Sequence, residues 1–352
     1  MSDYYVIVPG NASLQLKRML EAVLAGKNAS YITDKNSLPD LRGVKIIVCA
    51  EISPAGLCIP LYEILEELQS RGCDSLKDSS AILLLHSSNE LYTKSTASFI
   101  VFLMNQLGCR FPGHPAIEAT GSLSNFSTWR KVKEASLEDI CLELCISLGE
   151  RFAAYNPSVV KKPKILALHS SRKETSNTLA LWNMVKSGLA GCRISELHVE
   201  NGSVVDCKGC SYKTCKHFSM NNSCFYGGIM VKEILPAIEK SDAVIWLCPN
   251  YNDAVSANLS AVINRMSALY VKTPFYKKSL FSIIVSGNSG SDSVARQLLG
   301  ALCINKGFNL PPYHSFMATA NDPGTVCKIP GIEASARTYA ENILKEIKSP
   351  EI

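Results

Sequence analysis

The fold is decided by one stretch of sequence, a strand-like run followed by a hydroxyl-rich loop: Lys164-Ile165-Leu166-Ala167-Leu168 and then Ser170-Ser171-Arg172-Lys173-Glu174-Thr175-Ser176-Asn177-Thr178. The apolar spacing of residues 179–189 predicts a helix directly after the loop. A strand, a polar loop and a helix start bring unpaired N–H groups, hydroxyls and a guanidinium to one point, the geometry that binds a phosphate dianion. An ordinary turn in which Ser or Thr caps the helix predicts the same residues.

The loop lacks the two best-known glycine-rich phosphate motifs. Neither G-x-G-x-x-G nor G-x-x-x-x-G-K-[ST] occurs in it, so neither a dinucleotide fingerprint nor a nucleotide-triphosphate loop explains the segment. The phosphate of flavin mononucleotide (FMN) is the best remaining candidate.

The second half of the chain alternates strand and helix patterns five times. Strands are predicted over residues 164–168, 193–197, 243–248, 280–286 and 316–318, and helices over residues 179–189, 230–240, 257–270, 294–306 and 332–347. The strand over 243–248 is apolar throughout, which is typical of a parallel strand covered on both faces. The pattern predicts an α/β doubly wound parallel sheet that binds its ligand at the carboxyl ends of the strands.

The first half resembles the second. Residues 77–120 align with residues 277–320 without a gap, and the alignment pairs Asn105 with Asn305 and Pro112 with Pro312. We interpret the chain as two tandem doubly wound domains, residues 1–158 and 159–352. Convergent βα patterning offers an alternative explanation, because buried parallel strands look alike.

Composition excludes several classes of function. The net charge of +5 is mild and its lysines and arginines form no stripe, so we expect no nucleic-acid partner. We expect no membrane partner and a cytoplasmic location, because the sequence shows no export signal or spanning segment. The 14 cysteines are then expected to be thiols or metal ligands rather than disulfides.

Four cysteines follow the second strand of the second domain in the spacing C-x2-C-x4-C-x8-C. They are Cys207, Cys210, Cys215 and Cys224, within an insert over residues 207–224. Such thiols suit an iron–sulfur cluster or structural zinc. We favour an electron-transfer cluster, because the cysteines interrupt an α/β domain. Four free thiols, or a redox pair with two bystanders, remain the alternative.

Residues 162–350 resemble the NADPH-dependent FMN reductase family of flavodoxin-like proteins, particularly its iron–sulfur flavoprotein branch. The loop over residues 170–178 is similar to the family's G-S-P-R-x-x-S-N-T motif, and residues 249–265 to its P-x-Y loop with the downstream S-A-x-L-K-x-x-x-D-R. The resemblance implies FMN-phosphate contacts from Ser170, Arg172, Ser176, Asn177 and Thr178. It implies contacts near the flavin ring from Pro249, Asn250, Tyr251, Asn252, Asp253, Ser286, Gly287 and Asn288.

The chain departs from the family at three points. Ser260 and Asn264 stand where the family has Lys and Asp, and Cys215 comes two residues later than in iron–sulfur flavoproteins. In the first domain, the loop over residues 9–15 has no arginine, and no cysteine insert follows. We therefore expect that domain to be a degenerate flavodoxin-like repeat without a cofactor.

The resemblance implies an FMN-dependent oxidoreductase. Electrons would pass from NAD(P)H or another donor, through FMN and a 4Fe-4S cluster if one is bound, to a quinone, nitro compound, flavin or protein. The flavin carries the chemistry, so no catalytic side chain is predicted. The alternatives are an electron-transport protein served by a ferredoxin-type donor, and a non-catalytic thiol or metal sensor. Homo-oligomerisation stays open.

Overall fold

The computed structural model describes residues 3–172, 174–270 and 272–350. Lys173, in the hydroxyl-rich loop, therefore lies outside the described residues. The chain divides into two compact units, Met1–Asn156 (unit 1) and Pro157–Ile352 (unit 2), so the predicted boundary at residue 158 falls just inside unit 2. No helix in the described ranges is long and apolar enough to cross a membrane.

Unit 1 is a five-stranded parallel sheet in the order β2-β1-β3-β4-β5. Its strands are β1 (Tyr4–Ile7), β2 (Ala29–Ile32), β3 (Lys45–Ile52), β4 (Ser80–Ser87) and β5 (Ala116–Ala119), and its helices are α1 (Leu14–Leu24), α2 (Ile59–Ser70), α3 (Thr93–Gln106) and α4 (Leu137–Ala153). Side chains of α1 and α4, such as Met19 and Leu148, pack with Val6 and Ile47 of the sheet in one buried cluster. Burial of this apolar face stabilises the unit.

Unit 2 has a parallel sheet in the order β10-β9-β8-β6-β7. Its strands are β6 (Lys164–His169), β7 (Arg193–His198), β8 (Ala243–Pro249), β9 (Ser279–Ser286) and β10 (Ser315–Thr319). Its helices are α5 (Asn177–Ser187), α6 (Tyr212–Ser219), α7 (Leu235–Lys240), α8 (Ala257–Arg265), α9 (Ser291–Leu299) and α10 (Ile332–Ile347). Read from β7, the order matches that of unit 1.

This strand order is that of the flavodoxin-like fold, which confirms the predicted fold class. Every residue of β8 and β9 is buried, as the apolar runs predicted. A shared strand order is what an internal repeat predicts; the repeat itself stays a prediction. In unit 2 the chain reverses direction across the sheet at β6, between β7 and β8. A crevice outside the carboxyl ends of β6 and β8 is therefore the expected ligand site.

Several predicted helices have different ends in the structure. The helix expected over residues 257–270 ends at Arg265, and the one expected over residues 294–306 begins at Ser291 and passes into a π-helical turn over Gly300–Ile304. A second π-helical turn, Met230–Ile234, precedes α7. Helix α6 was not predicted: it lies within the cysteine insert, where Ser211 caps it by accepting a hydrogen bond from the Thr214 N–H.

Candidate functional site

A pocket of about 750 Å³ opens at the carboxyl edge of the unit 2 sheet. It is formed by the segments that follow β6, β7, β8, β9 and β10. Its lining residues are Ser170, Arg172, Thr175, Ser176, Asn177, Thr178, Asn201, Pro249, Asn250, Tyr251, Val255, Ser256, Ala257, Asn258, Val285, Gly287, Asn288, Ala320 and Asn321. This volume is within the range of cofactor pockets.

Two helices begin at this pocket. Ser176 caps α5, its Oγ accepting a hydrogen bond from the Leu179 N–H at 3.2 Å. Ser256 is the residue before α8, and its Oγ lies 2.8 Å from the Oγ of Ser170 in the loop after β6. That hydroxyl pair joins the starts of the two βα units. Unpaired N–H groups at both helix starts give the pocket a positive partial charge.

Arg172 is the one charged residue among the described residues that line the pocket. Its side chain is exposed, near the start of the loop after β6. A guanidinium near two helix starts favours a dianion, because the charge and the partial charges have the same sign. The electrostatics of the pocket therefore suit a phosphate group better than a cationic or neutral ligand.

Asn177 lines the pocket but uses its side-chain amide elsewhere. Its Nδ2 donates to the carbonyl oxygens of Ala320 at 3.2 Å and Asp322 at 2.9 Å, and its Oδ1 accepts from the Val326 N–H. The side chain thus ties the start of α5 to the loop after β10. A ligand at this position would meet the backbone of Asn177 rather than its amide group.

The loops after β8 and β9 form the other side of the pocket. The Nδ2 of Asn250 donates to the Oγ of Ser286 at 3.0 Å and joins the two loops. Its Oδ1 is buried and has no hydrogen-bond partner among the described residues. Gly287 lies so close to Asn321 that a Cβ would fall 2.8 Å from the Asn321 Oδ1. Glycine at this position therefore lets the loop after β9 approach the Asn321 side chain closely at the pocket.

Most of the predicted contact residues line this pocket, and three do not. Asn252, Asp253 and Ser286 lie off the lining; Ser286 is buried and bonded to Ser291 and Asn250. The lining also includes residues that the sequence analysis did not select: Thr175, Asn201, Val255, Ser256, Ala257, Asn258, Val285, Ala320 and Asn321. Ser256 carried a usable signal, since a serine directly before an apolar-periodic segment is typical of a helix cap.

The four cysteines of the insert line a second, smaller pocket of about 130 Å³. Aromatic residues Phe218, Phe225 and Tyr226 share the lining. Among the described residues, no three His, Cys, Asp or Glu side chains lie together closely enough to hold a metal ion. The four thiols therefore share one pocket without forming a metal-binding group in the described residues, and the predicted metal site stays a prediction.

Arg265, on α8, donates hydrogen bonds to the backbone on both sides of the cysteine insert. Its side chain is buried, and its Nη1 and Nη2 donate to the carbonyl oxygens of Val205 at 3.2 Å and Gly227 at 3.0 Å. The neighbouring Asn264 donates to the Oδ1 of Asp206 at 2.9 Å. The end of α8 therefore contacts the segments on both sides of the cysteine insert. The hydrogen bond from Asn264 lowers the pKa of Asp206, because it stabilises the ionised carboxylate.

In unit 1 the corresponding edge of the sheet carries a carboxylate. The Oε2 of Glu51 accepts a hydrogen bond from the Ser13 N–H at 3.1 Å, at the start of α1, and its Oε1 lies 2.5 Å from the Nδ1 of His86. Burial raises the pKa of Glu51, but hydrogen bonds from His86 and Ser13 outweigh burial and lower it overall. The carboxylate of Glu51 thus lies at the start of α1, where unit 2 has its pocket for an anion.

Part of the second unit is similar in sequence to a known family. Residues 163–322 match the family model described as NADPH-dependent FMN reductase. Unit 2 is similar in sequence to this family. The match supports an oxidoreductase enzyme that uses FMN. No curated protein matches the chain.

Solved structures resemble about half of the chain. An NAD(P)H:quinone oxidoreductase from Methanothermobacter marburgensis is 17% identical, with 54% of this chain and 98% of that chain covered and a TM-score of 0.38. An FMN-dependent NADH-azoreductase from Bacillus anthracis, in complex with FMN, is 11% identical, with 51% and 99% covered and a TM-score of 0.37. An NADH:FMN oxidoreductase in its apo form is 14% identical, with 54% and 92% covered and a TM-score of 0.39.

Proposed function

We propose that unit 2 binds FMN in the 750 Å³ pocket and transfers electrons from NAD(P)H, or another donor, to a second substrate. The observation that carries this proposal is the meeting of Arg172, the capped start of α5 and the start of α8 on one pocket wall. A phosphate dianion satisfies all three groups. The family match over residues 163–322 supports FMN as the ligand that carries this phosphate.

The residues present fit this cofactor. The Oδ1 of Asn250, a residue on the pocket lining, is buried and has no partner among the described residues. A buried polar atom without a partner destabilises a fold, and a ligand in the pocket that donates a hydrogen bond would supply one. The amide oxygen of Asn250 accepts hydrogen bonds only, which suits a ring N–H of a flavin.

When bound, FMN supplies hydride and electron transfer. The protein's residues then have binding roles: Arg172 and the two helix starts hold the phosphate, while Pro249, Asn250 and Tyr251 on one loop and Gly287 and Asn288 on the other border the ring. No Asp, Glu, His, Lys or Cys is among the described residues that line the pocket. Specificity for a quinone, nitro compound, flavin or protein acceptor therefore depends on access to the ring.

The test is an assay of NADH and NADPH oxidation by FMN-loaded protein against quinone, nitro-compound and free-flavin acceptors. The proposal expects turnover with at least one pair of donor and acceptor. A bound flavin that is reduced by ferredoxin but not by either nicotinamide would instead support an electron carrier. Protein that binds no FMN at all would refute the proposal and leave the thiol or metal sensor.

Unit 1 is proposed to bind no FMN and to be a degenerate repeat of unit 2. The carboxylate of Glu51 already accepts the Ser13 N–H at the start of α1, and an approaching phosphate would meet its negative charge. Like charges within a few ångströms repel. The loop after β1 also offers no arginine. Both features support a structural role for unit 1.

A second proposal concerns the cysteine insert: Cys207, Cys210, Cys215 and Cys224 hold an iron–sulfur cluster, in preference to zinc. A zinc ion draws four ligands onto one point, whereas each thiolate of a 4Fe-4S cluster binds a different iron. The observations that support one shared cluster are that all four thiols line one pocket and that their insert interrupts an α/β domain. Iron and sulfide analysis of anaerobically purified protein tests this, and zinc or no metal would overturn it.

A further inference from the structure

One exposed side chain outside the pocket lining holds the loop after β8 to helix α9. The Nε2 of Gln297 donates to the carbonyl oxygen of Asp253 at 2.7 Å. Its Oε1 accepts from the Val255 N–H at 3.1 Å. Both ends of one primary amide therefore bind one short segment of backbone, and only a side chain with a donor and an acceptor side by side can do this.

The segment that Gln297 binds contains an unusual turn. Asn252 and Asp253 have φ angles of 54° and 56°, and the Ala254 N–H donates to the Tyr251 carbonyl oxygen at 3.3 Å. Left-handed backbone is disfavoured for residues other than glycine, although Asn and Asp tolerate it best. Two such residues in succession need support from their surroundings. Tyr251, the first residue of this turn, lies on the pocket lining.

The same turn sits directly on the loop after β9. The Nδ2 of Asn250 donates to the Oδ1 of Asp253 at 3.0 Å, and a Cβ on Gly290 would fall 1.9 Å from that oxygen. The two loops that border the proposed ring position thus meet at Asp253. Any shift of the turn changes the distance between Tyr251 on one loop and Gly287 on the other.

We infer that Gln297 is a positioning residue: it sets the distance between Tyr251 and Gly287, and so the width of the space for the flavin ring. This inference rests on the proposed binding of FMN in unit 2. Charged groups on the two segments that Gln297 joins include the carboxylate of Asp253 in the turn and, on α9 itself, the ion pair between Asp292 and Arg296 at 3.3 Å.

The substitution Gln297→Glu tests the inference through its pH dependence. An ionised carboxylate has two acceptors and no donor, so it opposes the Asp253 carbonyl oxygen. A protonated carboxyl group donates and accepts as the amide does. The ratio of the variant's FMN Kd to the wild-type Kd is expected to be ~3- to 10-fold at about pH 8, the worth of one hydrogen bond. It is expected to fall as the pH drops through about 4.3, the ordinary pKa of Glu, and to approach one at about pH 3.5. The ratio cancels the titration of the phosphate itself.

Two further variants complete the experiment. Gln297→Ala is expected to weaken FMN binding by a similar factor with no return at low pH. Gln69→Glu makes the same change at an exposed position of α2 in unit 1 and is expected to match wild type at both pH values. A Gln297→Glu ratio that is close to one at both pH values, or raised equally at both, would overturn the inference. Wild-type protein that binds no FMN would instead refute the proposed function.

Discussion

Replacing Arg172 by alanine isolates the phosphate contribution to flavin binding. A hydrogen bond between charged groups contributes about 1.5 to 3 kcal/mol when it is shielded from water. The Arg172 side chain is exposed, and solvent weakens ion pairs at exposed positions. We therefore expect Arg172→Ala to cost about 1 to 2 kcal/mol, or ~5- to 30-fold in the Kd for FMN.

The assay is a fluorescence titration with FMN and, in parallel, with riboflavin, which has the same ring and no phosphate. Arg172→Ala should weaken FMN binding, reduce its dependence on salt concentration, and leave riboflavin binding unchanged. Arg193→Ala is the matched control. Arg193 is the first residue of β7 and lies at the amino ends of the strands, whereas the pocket lies at their carboxyl ends. Equal losses for both ligands, or unchanged FMN binding, would refute the placement of the phosphate beside Arg172.

Three other predictions follow. Cys210→Ser should remove bound iron and leave FMN bound, with Cys192→Ser, outside the insert, as the control; unchanged iron content would exclude Cys210 as a ligand. Asn177→Ala should lower the free energy of unfolding of unit 2 by about 1 to 3 kcal/mol, because one buried and two partly buried backbone groups lose their partners; an unaltered thermal midpoint would contradict this. Burial lowers the pKa of His314 from 6.5 to about 3, so the unfolded chain binds more protons than the folded one below pH 6.5. The free energy of unfolding should therefore be about 2 kcal/mol lower at about pH 5 than at neutral pH. In denaturant titrations, His314→Asn should make the free energy of unfolding less dependent on pH, and an unchanged pH dependence would refute this.

The central strands of unit 2, such as β8 and β9, were predictable because buried parallel strands are continuous apolar runs. The β8 run over Ala243–Pro249 is buried throughout, so its sequence signal and its environment agree. Helix α6 was not predictable in the same way, because only Ser219 of its residues is buried. A helix of eight residues is too short for its periodicity to stand out, and the local signal that remained was the serine cap, Ser211.

The candidate site was predictable where one local segment supplies the contacts. The loop over residues 170–178 reveals its hydroxyls and its arginine directly. By contrast, the amide of Asn177 bonds to Ala320 and Asp322, which are more than 140 residues away in the chain, and local sequence cannot indicate such a partner. The hydrogen bond from Gln297 to the Asp253 carbonyl oxygen could not be predicted for the same reason, because the two residues are far apart in the chain.

The most direct test of the account is the stoichiometry of FMN binding to anaerobically purified protein. Titration followed by absorbance and by equilibrium dialysis gives the number of flavins per chain. The account predicts one FMN per chain, held by unit 2, and none in unit 1. Protein that stays colourless in excess FMN would contradict the central claim, and two flavins per chain would contradict the assignment of unit 1.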